Sequence, residues 1–324
     1  MVKSSDIIQS NQLFSHQHQN DKGVVGVFAG ATSGIGARTL ERMITMFHSP
    51  TFYVLGRSST GFAAQRKILE SLNPDCNIIY IETNVALISG IDLACQQIQN
   101  AENKVDYLYM SMGRLPLAGA QYTTEGLETC LTISYTSRMR LLFNLLPLLD
   151  RSAHPRVLSV LNGGKEKRIA EEDVGLEKSW SIIGAVNQST LFTSLTFEGL
   201  AADRPNLTLI HNAPGMVESD NVRRNSQAED TPFSRRIIMR IIKLVMRVVR
   251  YFLGMSPKEA GERQTYHLTS ENYGTGSFRV DKDSEIVLDN DVLISYRESG
   301  WISKIWEFTL ATWAKALERG NNVS

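Results

Sequence analysis

The chain has 324 residues, 42% of them hydrophobic and 21% charged, with 34 basic against 34 acidic side chains. That length fits one large α/β domain with extensions, or at most two domains, and the composition is that of a globular protein rather than a disordered or fibrous one. Zero net charge supplies no bulk field toward nucleic acid, and no apolar run reaches the length of a membrane span. Cys76, Cys95 and Cys130 are odd in number and widely spaced, with neither a zinc spacing nor a disulfide framework, so they read as buried thiols in a reducing compartment.

Residues 1–22 are polar and lack the apolar core of a signal peptide; they are expected to form an N-terminal arm, either ordered on contact or loose. Next comes GVVGVFAGATSGIGAR, residues 23–38. An apolar run over 24–29 ends in Gly30, passes Ala31, Thr32, Ser33, Gly34, Ile35 and Gly36, and leads into a helical pattern. That is a strand, a glycine turn and a helix N-terminus, whose free N–H groups and dipole suit a phosphate. Gly30 lets the chain turn, Gly34 lets backbone approach a pyrophosphate, and Gly36 lets the helix pack on the strand. Further strands are expected at 51–56, 77–83, 105–111, 156–161, 207–212 and near 277–280. Helices are expected at 35–47, 61–72, 91–101, 125–149 and 182–202. This alternation predicts an α/β, Rossmann-like doubly wound parallel sheet with its ligand at the C-terminal strand edge.

The glycine spacing, with Thr32 and Ser33 inside it, resembles the short-chain dehydrogenase/reductase family over roughly residues 20–280. The predicted organisation is an arm at 1–22, an NADP-binding domain at 23–285 and a helical extension at 286–324. Arg57 follows the second strand, where an acidic residue would favour NAD; with Ser58 beside it, NADP(H) is the expected cofactor. By resemblance, Asn84 stands beside the adenine in Thr83-Asn84-Val85. Met110-Ser111-Met112-Gly113 replaces the family's Asn-Asn-Ala-Gly, which implicates Ser111 and Gly113. Pro214, Gly215, Val217 and Ser219 match the family's Pro-Gly-x-Val-x-Thr at the nicotinamide end.

The family's acid/base machinery is not matched. Asn162 stands where the serine belongs, Ser134 where the asparagine belongs, and Trp180 or Ser181 at the tyrosine, depending on a one-residue shift. Gly184 or Ala185 replaces the lysine. Lys165, Glu166 and Lys167 are expected on a solvated loop above the sheet edge. The whole pattern resembles a divergent branch common in filamentous fungi, often in secondary-metabolite pathways. It implies an NADP(H)-dependent oxidoreductase acting on a small, largely apolar carbonyl or alcohol metabolite. An isomerase or cyclase on the same fold, or an inactive NADP-binding interaction protein, are the alternatives.

Over 233–253, Arg235, Arg236, Arg240, Lys243, Arg247 and Arg250 fall within an arc of roughly 140° on a helical wheel. An apolar face opposes them. This reads as a substrate lid, with peripheral contact to an anionic membrane as the second reading of an otherwise cytoplasmic protein. Pro257 opens another helix. A last helix over 301–317 carries Trp301, Ile305, Trp306, Phe308, Leu310 and Trp313, able to close the cleft or make a dimer contact.

Overall fold

The structure, a computed structural model, describes residues 1–113, 119–217 and 255–321. The glycine turn follows the first of seven parallel strands: β1 (Lys22–Ala29), β2 (Ser49–Gly56), β3 (Asn77–Glu82), β4 (Tyr107–Met110), β5 (Arg156–Val160), β6 (Thr208–Asn212) and β7 (Gly276–Val280). Their spatial order is β3-β2-β1-β4-β5-β6-β7. The order reverses between β1 and β4, which opens the crevice that ligands use in such sheets.

The strands form where apolar runs are continuous, because helices cover both faces. Alternate side chains feed opposite cores. Val27 and Leu108 join one with Leu142, Phe192 and Trp313; Phe28 and Tyr109 join the other with Leu40, Phe52 and Tyr266. The covering helices are α1 (Ser4–His18), α2 (Gly34–Met43), α3 (Ser59–Leu72), α4 (Ile88–Ala101), α5 (Ser137–Leu149), α6 (Ile182–Asp203), α7 (Pro257–Thr269), α8 (Asp291–Glu298) and α9 (Trp301–Asn321). A turn at Thr129–Leu131 and a π-helical segment at Thr132–Thr136 lead into α5.

Three elements refine or differ from the sequence expectation. Residues 1–22 contain α1, which docks on α7: Ile7 is buried, and Asn11 donates to Glu262 O (3.0 Å) and Oε2 (2.7 Å). Its contact face mixes Ile7 and Phe14 with Asn11, so the apolar stripe is short and interrupted. Second, Glu125 lies outside the helix expected from 125. Its carboxylate accepts from Ile88 N (2.6 Å) and Ser89 N (2.9 Å), capping α4. Third, the aromatic face of α9 is used within the chain. Trp306 stacks on Phe143 at 4.3 Å, Trp313 Nε1 donates to Thr136 O (3.1 Å), and Arg140 lies over Trp313 at 5.0 Å.

Pro257 does open α7, with Ser256 Oγ accepting from Glu259 N (3.1 Å). Cys76, Cys95 and Cys130 are free thiols, the last two buried; burial pushes Cys76 and Cys95 up to about 12 and Cys130 to about 11. No helix among the described residues is long and apolar enough to cross a membrane, and none of their His, Cys, Asp and Glu side chains cluster in a metal-binding set. The basic segment 233–253 and Ser219 lie outside the described residues.

Candidate cofactor and substrate site

The crevice begins at the glycine turn. Gly30 has φ +87° and Gly34 φ +61°, conformations that side chains resist. A Cβ on Gly30 would lie 2.4 Å from Met112 N, and one on Gly36 2.5 Å from Gly30 O. Ser33 is the N-cap of α2, yet its side chain makes no cap bond, so the first N–H groups of that helix face the crevice uncapped. Two side chains brace the turn: Ser111 Oγ donates to Gly30 O (3.0 Å) and Gln65 Nε2 to Ala31 O (3.0 Å). Gln65 was not foreseen; it looks like any polar residue on a helix until α3 folds against the turn.

At the β2–α3 corner, Gly56 is packed against Tyr80 and the Thr32 methyl, so the turn and the corner form one wall. Arg57 is exposed and pairs with no carboxylate among the described residues. Ser58, an expected ligand contact, also has a local role. Its Oγ caps α3 by accepting from Gly61 N (3.0 Å), while its N–H donates to Tyr80 Oη (2.9 Å). Glu82 shares the corner and accepts from Ser59 N (3.1 Å). Hydrogen bonds from the Ser59 hydroxyl and N–H hold its carboxyl below the ordinary value. Asn84 is exposed, its Oδ1 closing a turn onto Ala86 N (3.2 Å).

Farther along the edge, a Cβ on Gly113 would meet open space. Pro214 and Gly215 (φ +73°) turn the chain out of β6; Val217 then pairs in parallel with Met255, so the chain leaves and re-enters the edge at one place. Asn162 is half-buried after β5, its Nδ2 3.5 Å from Thr190 Oγ1 on α6. Ser134 is buried in the π-helical segment, a distortion found often at functional sites. Trp180 packs on Cys130, Leu176 and Ala185, and its buried Nε1 has no hydrogen-bond partner among the described residues. Ser181 is the exposed N-cap of α6, its Oγ accepting from Gly184 N (3.0 Å). Tyr135, next to Ser134, points away into a buried bond with Thr196 (3.0 Å) and Thr309 (2.7 Å).

Beneath Asn162 lies a hydrogen-bond chain. Lys165 and Lys167 are exposed as expected, but Glu166 is only 1% exposed. Ser194 Oγ donates to Glu166 Oε1 (2.6 Å), which also accepts from Gly164 N (3.0 Å). The Ser194 hydroxyl lies 2.8 Å from His211 Nδ1, and Asn162 N donates to His211 Nε2 (3.3 Å). With Nε2 accepting, the ring is neutral and Nδ1–H donates to Ser194. Burial, then the charges of Arg138 and Arg279, pull His211 down to about 3. Glu166 is thus an internal acceptor fixing the loop that carries Asn162, a role that a Lys-Glu-Lys string does not announce.

The comparisons bear on the fold and on the kind of protein. The chain is 33% identical over 335 residues to the oxidoreductase lepF of Aspergillus flavus, spanning 92% of this chain and 93% of that one. It is 31% identical over 220 residues to the short-chain dehydrogenase/reductase SAT2 of Stachybotrys chartarum, spanning 60% and 61%. The chain belongs with these fungal oxidoreductases, and over part of its length it is similar to a short-chain dehydrogenase/reductase. No family model matches it. Its fold is shared with a 3-oxoacyl-(acyl-carrier-protein) reductase of Agrobacterium tumefaciens C58 with NADP bound, at TM-score 0.59 and 16% identity, over 84% of this chain and 96% of that one.

Proposed function

We propose that this oxidoreductase uses NADP(H) to interconvert a largely apolar carbonyl and alcohol, in fungal secondary metabolism. The observation that carries the reading is the β1–β2 wall: an uncapped helix N-terminus at the glycine turn, with the exposed Arg57 guanidinium at the adjoining corner. The residues fit the cofactor. Backbone N–H groups of 33–36 would hold the pyrophosphate, and Arg57 the 2′-phosphate. Asn84 would meet the adenine, and Pro214–Val217 the nicotinamide end. The solved reductase with NADP bound, on the same fold, supports the same reading.

The cofactor, when bound, supplies or accepts hydride. This chain's own residues position the partner. Asn162 and Ser134 hold the substrate oxygen by hydrogen bonds, and neither has an acid/base pKa, so the proton comes from water or from the substrate. Exposed Ile183 (73%) on the first turn of α6 and Met216 (40%) after the Pro-Gly turn supply apolar surface at the rim. The second part of the reading is location: a cytoplasmic protein. The test is calorimetric titration with NADPH and NADH, followed by turnover of apolar ketones read by loss of reduced nicotinamide absorbance. At least about tenfold tighter NADPH binding is expected. Failure to bind either cofactor, or tighter NADH binding, overturns the proposal.

A further inference from the structure

Arg138 stands one helical turn beyond Ser134 and is 1% exposed. Its guanidinium donates to the backbone oxygens of Met110 (3.2 Å), Val160 (3.0 Å), Ile133 (3.2 Å) and Met112, and to Ser159 Oγ (2.7 Å). All five acceptors are neutral. A buried charge ordinarily brings a counter-charge with it, but no carboxylate among the described residues bonds to this one. Glu166, also buried near this edge, bonds to Ser194 and Gly164 N instead. Burial lowers Arg138 to about 10, which leaves it cationic at neutral pH.

The position of those acceptors gives the charge a function. Met112 precedes Gly113, Val160 lies two residues before Asn162, and Ile133 precedes Ser134. One guanidinium therefore ties together the ends of β4 and β5 and the π-helical segment, the three pieces of backbone that lead to Gly113, Asn162 and Ser134. We propose that Arg138 is a specificity-determining cation that selects the reduced cofactor over the oxidised one. This rests on the nicotinamide-cofactor reading above. The oxidised ring carries a positive charge and the reduced ring none, so a fixed cation in a low-dielectric wall repels only the oxidised form. A protein biased this way loads NADPH and releases NADP+, the order that carbonyl reduction requires.

The test compares NADPH and NADP+ binding by calorimetry, since the two differ only at the ring. The wild-type chain is expected to bind NADPH about tenfold more tightly, the order of a weak repulsion between unit charges at an effective dielectric of about 20. Arg138→Met should bring the ratio near one. Arg138→Lys keeps the charge without the five-way clamp, so it should weaken both forms yet keep most of the ratio. Equal wild-type affinities, or the same ratio in the Lys and Met variants, overturn the proposal. If Arg138→Met does not fold, the wild-type and Lys ratios decide: both must favour NADPH. Equal binding leaves the NADP(H) assignment standing and removes this inference alone, whereas binding of neither form removes both.

Discussion

The two sides of the crevice are built from different materials. On the β1–β2 side the site is backbone: two glycines at positive φ and a helix end without a side-chain cap. On the β4–β5 side it is buried side chains: Arg138 on five neutral acceptors, and the chain from Asn162 through His211 and Ser194 to Glu166. A backbone site must keep glycines at fixed spacing, because a side chain would fill the cradle. A side-chain site can be rebuilt from other residues as long as every buried polar group finds a partner. The scaffold is thus retained on one side while the family's tyrosine and lysine are absent on the other.

The largest effect should come from the backbone side. Gly34→Val places a branched residue at φ +61° and fills the space a pyrophosphate needs. NADPH affinity should fall more than about a hundredfold, with strain of roughly 1–3 kcal/mol that leaves the circular dichroism spectrum native. A folded variant that binds NADPH normally would move the cofactor away from this wall and dissolve the comparison.

The β2–α3 corner sharpens it, because here a side chain chooses the ligand on the backbone-built side. Arg57→Asp should weaken NADPH by about 2 kcal/mol or more, through loss of a charge-assisted contact and added repulsion. Glu82→Gln works in the opposite direction. Its carboxylate at Ser59 N (3.1 Å) repels a phosphate, so NADPH binding should tighten severalfold while NADH binding stays constant. Calorimetry on both variants reads the two signs. Equal NADPH affinity in Arg57→Asp and wild type would remove the corner from the site.

Legibility followed the same division. The seven strands were readable because strands covered on both faces are nearly continuous apolar runs, and β4 and β6 are buried at every position. The glycine turn was readable because its geometry demands a residue type at a spacing. Arg138 and Glu166 were not, because burial of a charged residue is decided by partners distant in sequence: Arg138 by Met110 and Val160, Glu166 by Ser194. Helix α1 escaped for a related reason. Its docking face mixes Ile7 and Phe14 with Asn11 and Ser4, and the polar members interrupt the periodic signature.

Acid should act on two buried histidines, one of them, His211, in the side-chain half. His211 and His267 are buried and held near 3, far below the usual histidine value. An unfolded chain takes up protons on both near pH 6.5, whereas the folded chain does not until about 3. Stability is therefore fully present above pH 6.5 and is lost as pH falls through that window, by about 1.4 kcal/mol per pH unit for each histidine. Urea unfolding at pH 7 and 5.5 should show this loss, and His211→Gln should lose roughly half of the slope. Flat wild-type stability between these pH values would mean that His211 is not the neutral acceptor of Asn162 N–H.

The smallest effect is expected at Ser181, the position most tempting to call catalytic. It stands at the family's tyrosine under one alignment, yet the structure uses it as the N-cap of α6, exposed, with Gly184 N at 3.0 Å from its Oγ. A serine cap replaced by alanine costs about 1 kcal/mol, and threonine restores most of it. Ser181→Ala should therefore lower the melting temperature by roughly 2 °C, leave NADPH affinity unchanged and alter turnover less than about tenfold. A loss of turnover beyond about a thousandfold with binding intact would assign ~4 kcal/mol of transition-state stabilisation to this hydroxyl. The catalytic side would then rest on a residue at the family's own position, and the contrast between a retained backbone half and a rebuilt side-chain half would fail where it matters most.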